Sequence, residues 1–170
     1  YIIEAEEGQE IYAENFGRLL IPGKPNVPSK IFSLAIPPGS TVNDITFEAS
    51  ESIVLPGVYN IVPCPIPEVI GEGDSSARDN DEAVFYRNYE QVYFGDDPYP
   101  ASIGEFICNA HYRKYNLVDV RINPFTYYAA FNQLEYYPEI TIKITYQTPT
   151  EEFNEVKDNL FTTKGVFDRS

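Results

Sequence analysis

Hydrophobic and polar residues alternate with a period of two along several stretches of this chain, which is the pattern of β-strands that bury one face. The clearest stretch places Ile140, Ile142 and Ile144 on one face, with threonine and lysine side chains between them. Residues 118–122 and 45–49 alternate in the same way. We predict further strands at 9–13, 29–36, 52–62, 82–94 and 103–112. Within 125–137 we predict either one further strand or a strand pair that turns near residues 131–133.

Turn-forming residues separate these stretches. Residues 37–40, Pro-Pro-Gly-Ser, predict the tight turn of a hairpin, because proline fixes φ and glycine tolerates a positive φ. Residues 71–82 lack apolar periodicity and predict a long polar loop, and 95–100 predict a second loop. A capping-box-like sequence at Thr148, with proline at the first helical position, begins the one segment that we predict to be helical.

Many short strands punctuated by turns, with one late helix, predict an all-β fold. We expect an antiparallel β-sandwich of jelly-roll or immunoglobulin-like type with one short C-terminal helix. The sandwich would comprise residues 1–147, and residues 148–170 would form the helix and a linker towards a following domain. A chain of 170 residues can bury roughly 70% of its unfolded surface, so it needs no metal or disulfide to fold.

The charge of the chain narrows the classes of partner. A formal net charge of −14 repels phosphate backbones, which excludes nucleic-acid binding through a basic groove. No stretch approaches the ~20 apolar residues of a membrane span, so we expect no membrane insertion. The first residues, Tyr-Ile-Ile-Glu-Ala-Glu-Glu, lack the basic start and apolar core of a signal peptide. We therefore expect a mature or trimmed fragment from which a signal has been removed.

The two cysteines, Cys64 and Cys108, lie in strand-like apolar surroundings. They allow one disulfide, and the alternative is a pair of buried free thiols, since unpaired cysteine behaves as a small core residue. Sequence spacing does not choose between the two possibilities.

No constellation of residues in the chain predicts catalysis. His111 is the only histidine and follows Cys108 by three residues, which places the two side chains on opposite faces of a strand. The cysteines and the histidine lack the spacing of zinc ligands. The polar loop offers oxygen ligands for calcium from Asp74, Asp79, Asp81 and Glu82. These residues do not match the spacing of a calcium-binding loop, so we expect no cofactor. The tyrosines of "FYRNYEQVYF" suggest either a sugar-binding platform or half-buried strand positions.

Two long stretches resemble the N-terminal propeptide of gingipain-type cysteine peptidases. The first, "GRLLIPGKPNVPSKIFSLAIPPGSTV", has a Gly-x-Pro-x-x-Pro approach and an Ala-Ile-Pro-Pro-Gly corner. The second, "YNLVDVRINPFTYYAAFNQLEYYPEITIKITY", has the "VDVRINP" strand and the terminal alternating strand, and "VYNIVPCPIP" lies between the two. The resemblance covers residues 17–147. The turn at 129–133 departs from the Asn-Pro and Thr-Gly turn that is usual in that family.

The resemblance implies a secreted or cell-surface β-sandwich prodomain without catalytic residues. Such a domain keeps a cysteine peptidase of the same precursor latent by covering its active-site cleft, assists its folding, and is then cleaved off. An acidic specificity pocket in that cleft would take a basic side chain, for which Arg78, Arg113 and Lys114 are the candidates. Arg169 is the candidate for the processing cut. The alternative function is a non-catalytic extracellular module that binds carbohydrate or a cell surface.

Overall fold

The computed structural model describes residues 1–67, 75–112 and 115–148, and of residues 75–79 it describes the backbone alone. In chain order the elements are β1 (Ile2–Ala5), β2 (Gly8–Ile11), β3 (Gly17–Arg18), β4 (Pro28–Ile36), β5 (Thr41–Ala49), β6 (Ile53–Val54), α1 (Ser75–Tyr93), β7 (Gly104–Tyr112), β8 (Tyr115–Ile122), β9 (Phe125–Tyr128), a 3₁₀ turn (Ala129–Phe131), β10 (Gln133–Tyr136) and β11 (Ile140–Gln147). The sheets are mostly antiparallel, which confirms the predicted fold class.

These elements form two compact units, and each unit is assembled from separate segments of the chain. Unit 1 contains Tyr1–Lys30, Ala49–Ile103 and Ile122–Ile140. In the described part of the chain, unit 2 contains Ile31–Glu48, Gly104–Arg121 and residues 141–148. The predicted domain boundary at residue 147 lies at the end of the described chain and stays a prediction.

Unit 2 contains a β-sandwich whose core lies between two layers of strands. In one layer β8 lies between β4 and β7, and in the other β5 pairs with β11. The buried side chains of Ile36, Val118 and Val120 form the centre of the core. Partly buried apolar residues from both layers pack around them, namely Phe32, Leu34, Val42, Ile45, Phe47, Ile142 and Ile144. The alternating pattern of the sequence thus supplies the side chains on both sides of this core.

The β4–β5 connection contains the predicted turn at residues 37–40, but the predicted hairpin is wrong, because β4 pairs with β8 whereas β5 pairs with β11 in another sheet. The Ser40 N–H donates to the Pro37 carbonyl at 3.1 Å, and Gly39 has a φ of 75°. This positive φ is the conformation that glycine adopts without steric cost. The rigid turn therefore fixes where β5 begins relative to β4.

Unit 1 combines small sheets with the helix around a second core. β1 pairs with β2, and β10 lies between β6 and β9. The buried residues of the core come from strands, connections and the helix, namely Ile11, Val27, Tyr59, Ile61, Val92, Tyr99, Tyr127 and Leu134. The Tyr127 hydroxyl donates to the Tyr59 carbonyl at 2.9 Å, so this fully buried side chain satisfies its polar atom inside the core.

The predicted loop at 71–82 and the predicted strand at 82–94 are both wrong where they are described, because α1 occupies Ser75–Tyr93. Tyrosine and phenylalanine favour strands, and that preference guided the prediction. However, Phe85, Tyr89 and Tyr93 recur every four residues, which aligns them along one side of a helix. The rings of Tyr89 and Tyr93 stack with centroids 4.4 Å apart, so packing of the helix outweighs the intrinsic preference of its residues.

The predicted strand at 52–62 is shortened to Ile53–Val54. The dipeptide Pro56-Gly57 interrupts it, and Gly57 has a φ of 138°. In contrast, the predicted strand pair at 125–137 is confirmed as β9 and β10, with Leu134 opposite Tyr127. Its turn ends at Asn132, which has a left-handed φ of 50°. The C-terminal helix that we predict after Thr148 lies outside the described residues.

Candidate functional site

Of the basic residues predicted to enter a peptidase cleft, the structure places one in a regular element. Arg78 belongs to α1 and not to a loop. Arg113, Lys114 and Arg169 lie outside the described residues. The strands next to the first two are described: β7 ends at Tyr112 and β8 begins at Tyr115. Strands β7 and β8 therefore define the surroundings of the candidate site at this connection.

Strand β7 forms an exposed surface beside that connection. Among the described strands it is the outermost of the sheet that contains β4 and β8. Every residue of β7 after Gly104 is exposed except Ala110, which is half-buried. Large apolar side chains contribute to this surface, since Phe106 is 47% exposed and Tyr112 is 61% exposed. An exposed strand that carries aromatic side chains has the character of a protein-binding surface.

A groove lies along the end of β7 in unit 2. Its volume is about 290 Å³, and Asn109, Ala110 and His111 of β7 form one of its walls. Residues of the β4–β5 turn and of β8 form the rest, including Ser40 and Asn116. The Asn116 Nδ2 group donates to the Ser40 carbonyl at 2.7 Å and holds the turn against β8. The groove thus offers a fixed depression of mixed polar and apolar character.

Polar contacts tie the side chains of β7 to those of β8. Arg121 forms an ion pair with Glu105. The Cys108 thiol donates to the Asp119 carboxylate, with the two atoms 3.6 Å apart. Loss of hydration, together with this carboxylate, raises the pKa of the Cys108 thiol. A thiol with a raised pKa is a weak nucleophile at neutral pH, so this pair does not activate Cys108.

Both cysteines are free in the structure. Cys64 is buried, as one of the two alternatives predicts, whereas Cys108 is exposed. Burial also raises the pKa of the Cys64 thiol. The sequence reasoning missed the exposure of Cys108, because the apolar run Phe106–Cys108 reads as a strand with a buried face. The run contains no charged residue, which is compatible with a buried strand and with an exposed binding strand alike.

The described residues contain no group of three or more histidine, cysteine, aspartate or glutamate side chains placed to hold a metal ion. The acidic residues considered for calcium lie largely in α1, and Asp74 lies outside the described chain.

In the described part, no helix has the length and apolar character needed to cross a membrane.

The tyrosines considered for sugar binding are engaged mainly with one another and with the core of unit 1. Phe85 stacks on Tyr89 with ring centroids 6.2 Å apart. The Tyr93 hydroxyl donates to the Ile61 carbonyl at 2.6 Å, which anchors α1 to the core. The Asn88 side chain anchors it further by donating to the Pro22 carbonyl at 2.8 Å. This arrangement explains the aromatic residues of α1 by packing and does not favour a carbohydrate site.

One family of known proteins has a sequence model that matches this chain. The sequence model of the family Propeptide_C25 matches residues 4–167. No curated protein matches the chain.

Two solved structures are similar to the fold. One concerns the zymogenic latency of gingipain K from Porphyromonas gingivalis. It is 18% identical to this chain, and the match covers 88% of this chain and 81% of the gingipain K chain, with a TM-score of 0.62. The other is the complex of the pro- and mature domains of RgpB from Porphyromonas gingivalis. The matching chain is 17% identical, and the match covers 94% of this chain and 83% of that chain, with a TM-score of 0.59.

Proposed function

Because the chain belongs to the Propeptide_C25 family, we propose that it is the non-catalytic prodomain of an exported cysteine peptidase. It keeps the peptidase latent by covering the active-site cleft, assists the folding of the catalytic domain, and is removed by cleavage. The observation that carries this proposal is the family match over residues 4–167. The likeness of the fold to structures that concern zymogenic latency and a pro–mature complex supports it.

The partner in this proposal is the catalytic domain of the same precursor. A prodomain must bind that domain through an exposed surface, and β7 with its aromatic side chains and adjoining groove supplies one. Interfaces of this kind are depleted of charge at their centre and enriched in aromatic residues. Phe106 and Tyr112 fit that description.

Arg113 and Lys114 are the preferred candidates for the side chain that fills the specificity pocket. Peptidase clefts bind peptides in an extended form, whose main-chain groups are available to the enzyme. Arg78 belongs to α1, where main-chain groups bond within the helix. Arg113 and Lys114 instead separate two neighbouring strands in the sequence. A guanidinium or ammonium group from this position would pair with an acidic pocket.

Inhibition of the separated catalytic domain by the 170-residue chain tests the proposed function. We expect the wild-type chain to inhibit, and the double substitution R113A/K114A to raise the inhibition constant by about 10- to 100-fold, or roughly 1.4–2.8 kcal/mol. Arg87→Ala is the matched control, because Arg87 is exposed on α1 and we expect it to leave the constant unchanged.

The possible outcomes separate the parts of this proposal. A wild-type chain that does not inhibit would contradict the prodomain function. Full inhibition by R113A/K114A and by Arg78→Ala would retain the function but exclude all three predicted pocket residues. Mass spectrometry of the processed precursor tests the cut after Arg169, which Arg169→Ala should block.

A further inference from the structure

The outer edge of β7 has main-chain groups that point away from the rest of the sheet. β7 and β8 are neighbours in the sheet, and only residues 113 and 114 separate them, so the two strands run antiparallel. In an antiparallel pair, every second residue directs its N–H and C=O away from the partner strand. Since β7 is the outermost strand of its sheet in the described part of the chain, these groups between Glu105 and His111 point away from the other described strands.

This edge lacks the features with which proteins prevent strands from pairing with other chains. Such features are short length, proline, bulges and charged side chains, lysine above all. β7 has nine residues, and its sequence, GEFICNAHY, contains no proline, lysine or arginine. Its one acidic residue, Glu105, is paired with Arg121. A long and nearly uncharged edge in a chain of net charge −14 is the kind of edge that pairs with another strand.

The groove beside β7 gives an added strand a place for its side chains. Asn109, Ala110 and His111 line the groove, so a segment that pairs with this part of the edge lies next to residues of the groove. Strand addition characteristically combines main-chain hydrogen bonds, which supply affinity, with pockets for alternate side chains, which supply specificity. Both components are present at the same end of β7.

We propose that an extended segment of the peptidase domain adds to the outer edge of β7 as a further strand of the sheet. This inference rests on the function proposed above, because that function identifies the occupant. The edge of β7 is next in sequence to Arg113 and Lys114, the residues that we propose to enter the cleft. The added strand and the residue in the specificity pocket would therefore belong to one interface. Main-chain pairing would hold the prodomain in register on the peptidase, independently of the residue in the specificity pocket.

Amide hydrogen exchange, measured by NMR on the labelled 170-residue chain alone and in complex with the catalytic domain, tests this proposal. In the free chain we expect alternate amides of residues 105–111 to exchange rapidly. In the complex we expect those amides to exchange at least about tenfold more slowly. Unchanged exchange of these amides in an inhibited complex would overturn the strand-addition proposal while leaving the prodomain function intact.

A proline substitution provides the matching affinity measurement. Of Asn109 and Ala110, one directs its amide outward, and exchange in the free chain identifies which. Proline at that position removes an intermolecular hydrogen bond without removing a bond to β8, and we expect binding to weaken by about tenfold. Ser33→Lys is the control, since Ser33 is exposed on β4, which lies on the opposite side of β8 from β7, and we expect no loss of affinity.

Other outcomes would assign the edge differently. If Ser33→Lys weakens binding and the proline does not, the peptidase contacts the face of the sheet and the edge proposal is wrong. If the free chain already protects these amides, increasingly so at higher concentration, a second copy of the chain occupies the edge, and the proposed occupant is wrong. Thermal unfolding of each variant verifies that a loss of affinity is not a loss of folding.

Discussion

Gly23 occupies a position where main-chain conformation and close packing both exclude a side chain. Its φ is +81°, and a Cβ atom there would lie 2.1 Å from the Phe85 carbonyl oxygen. We predict that Gly23→Ala lowers the free energy of unfolding by about 2 kcal/mol or more, because it combines left-handed strain with a main-chain clash. Urea unfolding measures this. Gly17→Ala is the control, since its Cβ would meet only the Ser29 carbonyl oxygen at 3.6 Å; equal losses would contradict the explanation.

Tyr93 couples the docking of α1 to pH. Burial raises the pKa of Tyr93 above its ordinary value, whereas in the unfolded chain it titrates near 10. The folded state therefore keeps the proton that the unfolded chain releases, and the stabilisation is complete below about pH 10 and is lost as the pH rises towards the folded pKa. We predict that unfolding free energy falls steeply above about pH 10.

Tyr93→Phe separates this titration from the hydrogen bond. At neutral pH we expect a loss of about 1 kcal/mol, because the Ile61 carbonyl loses its donor. Above about pH 10 we expect the variant to lose less stability than the wild type. Tyr86→Phe, at a side chain that is 61% exposed, should retain the wild-type profile. Parallel alkaline profiles for Tyr93→Phe and the wild type would assign the effect to other groups, of which Tyr127 is the nearest candidate because burial raises its pKa too.

At the scale of elements, the sandwich of unit 2 depends on side chains at the centre of β8. Val120 is fully buried between the two layers. We predict that Val120→Ala lowers the free energy of unfolding by about 2 kcal/mol, through lost burial and the cavity that remains. Val54→Ala is the same chemical change at a residue that is 54% exposed, and we expect it to cost less than about 0.5 kcal/mol. Similar costs at both positions, measured by urea unfolding, would mean that this core does not govern stability.

Some of these elements follow directly from hydrophobic patterns in the sequence, and others do not. β4, β8 and β11 bury alternate residues around one core, so their period of two is visible in the sequence. In α1 the aromatic composition favoured a strand. The helix is held by side chains that donate to carbonyl groups far away in the sequence, Asn88 to Pro22 and Tyr93 to Ile61. These contacts join residues distant in sequence, which a local pattern cannot represent.

The candidate site was partly predictable for a similar reason. Basic residues can be read from the sequence, and the resemblance to the propeptide family made Arg113 and Lys114 candidates for the pocket. The exposure of β7 could not be read, because a strand at the edge of a sheet and a strand inside it have similar composition. Position in the sheet depends on the order in which β3, β4, β8 and β7 pair. That order depends on contacts between segments from separate parts of the chain, so the sequence of β7 alone does not reveal it.

At the scale of the whole molecule, the net charge of −14 sets a general electrostatic cost of folding. Compaction brings like charges together, and salt screens their repulsion over about 10 Å at 0.1 M. We predict that raising sodium chloride from about 0.01 to 0.3 M increases the midpoint of thermal unfolding by a few degrees. The double substitution Glu6→Gln/Glu7→Gln, at exposed residues, should raise the midpoint at low salt and reduce its dependence on salt. A midpoint that falls with added salt would mean that favourable ion pairs, such as Arg18 with Glu10, outweigh the repulsion.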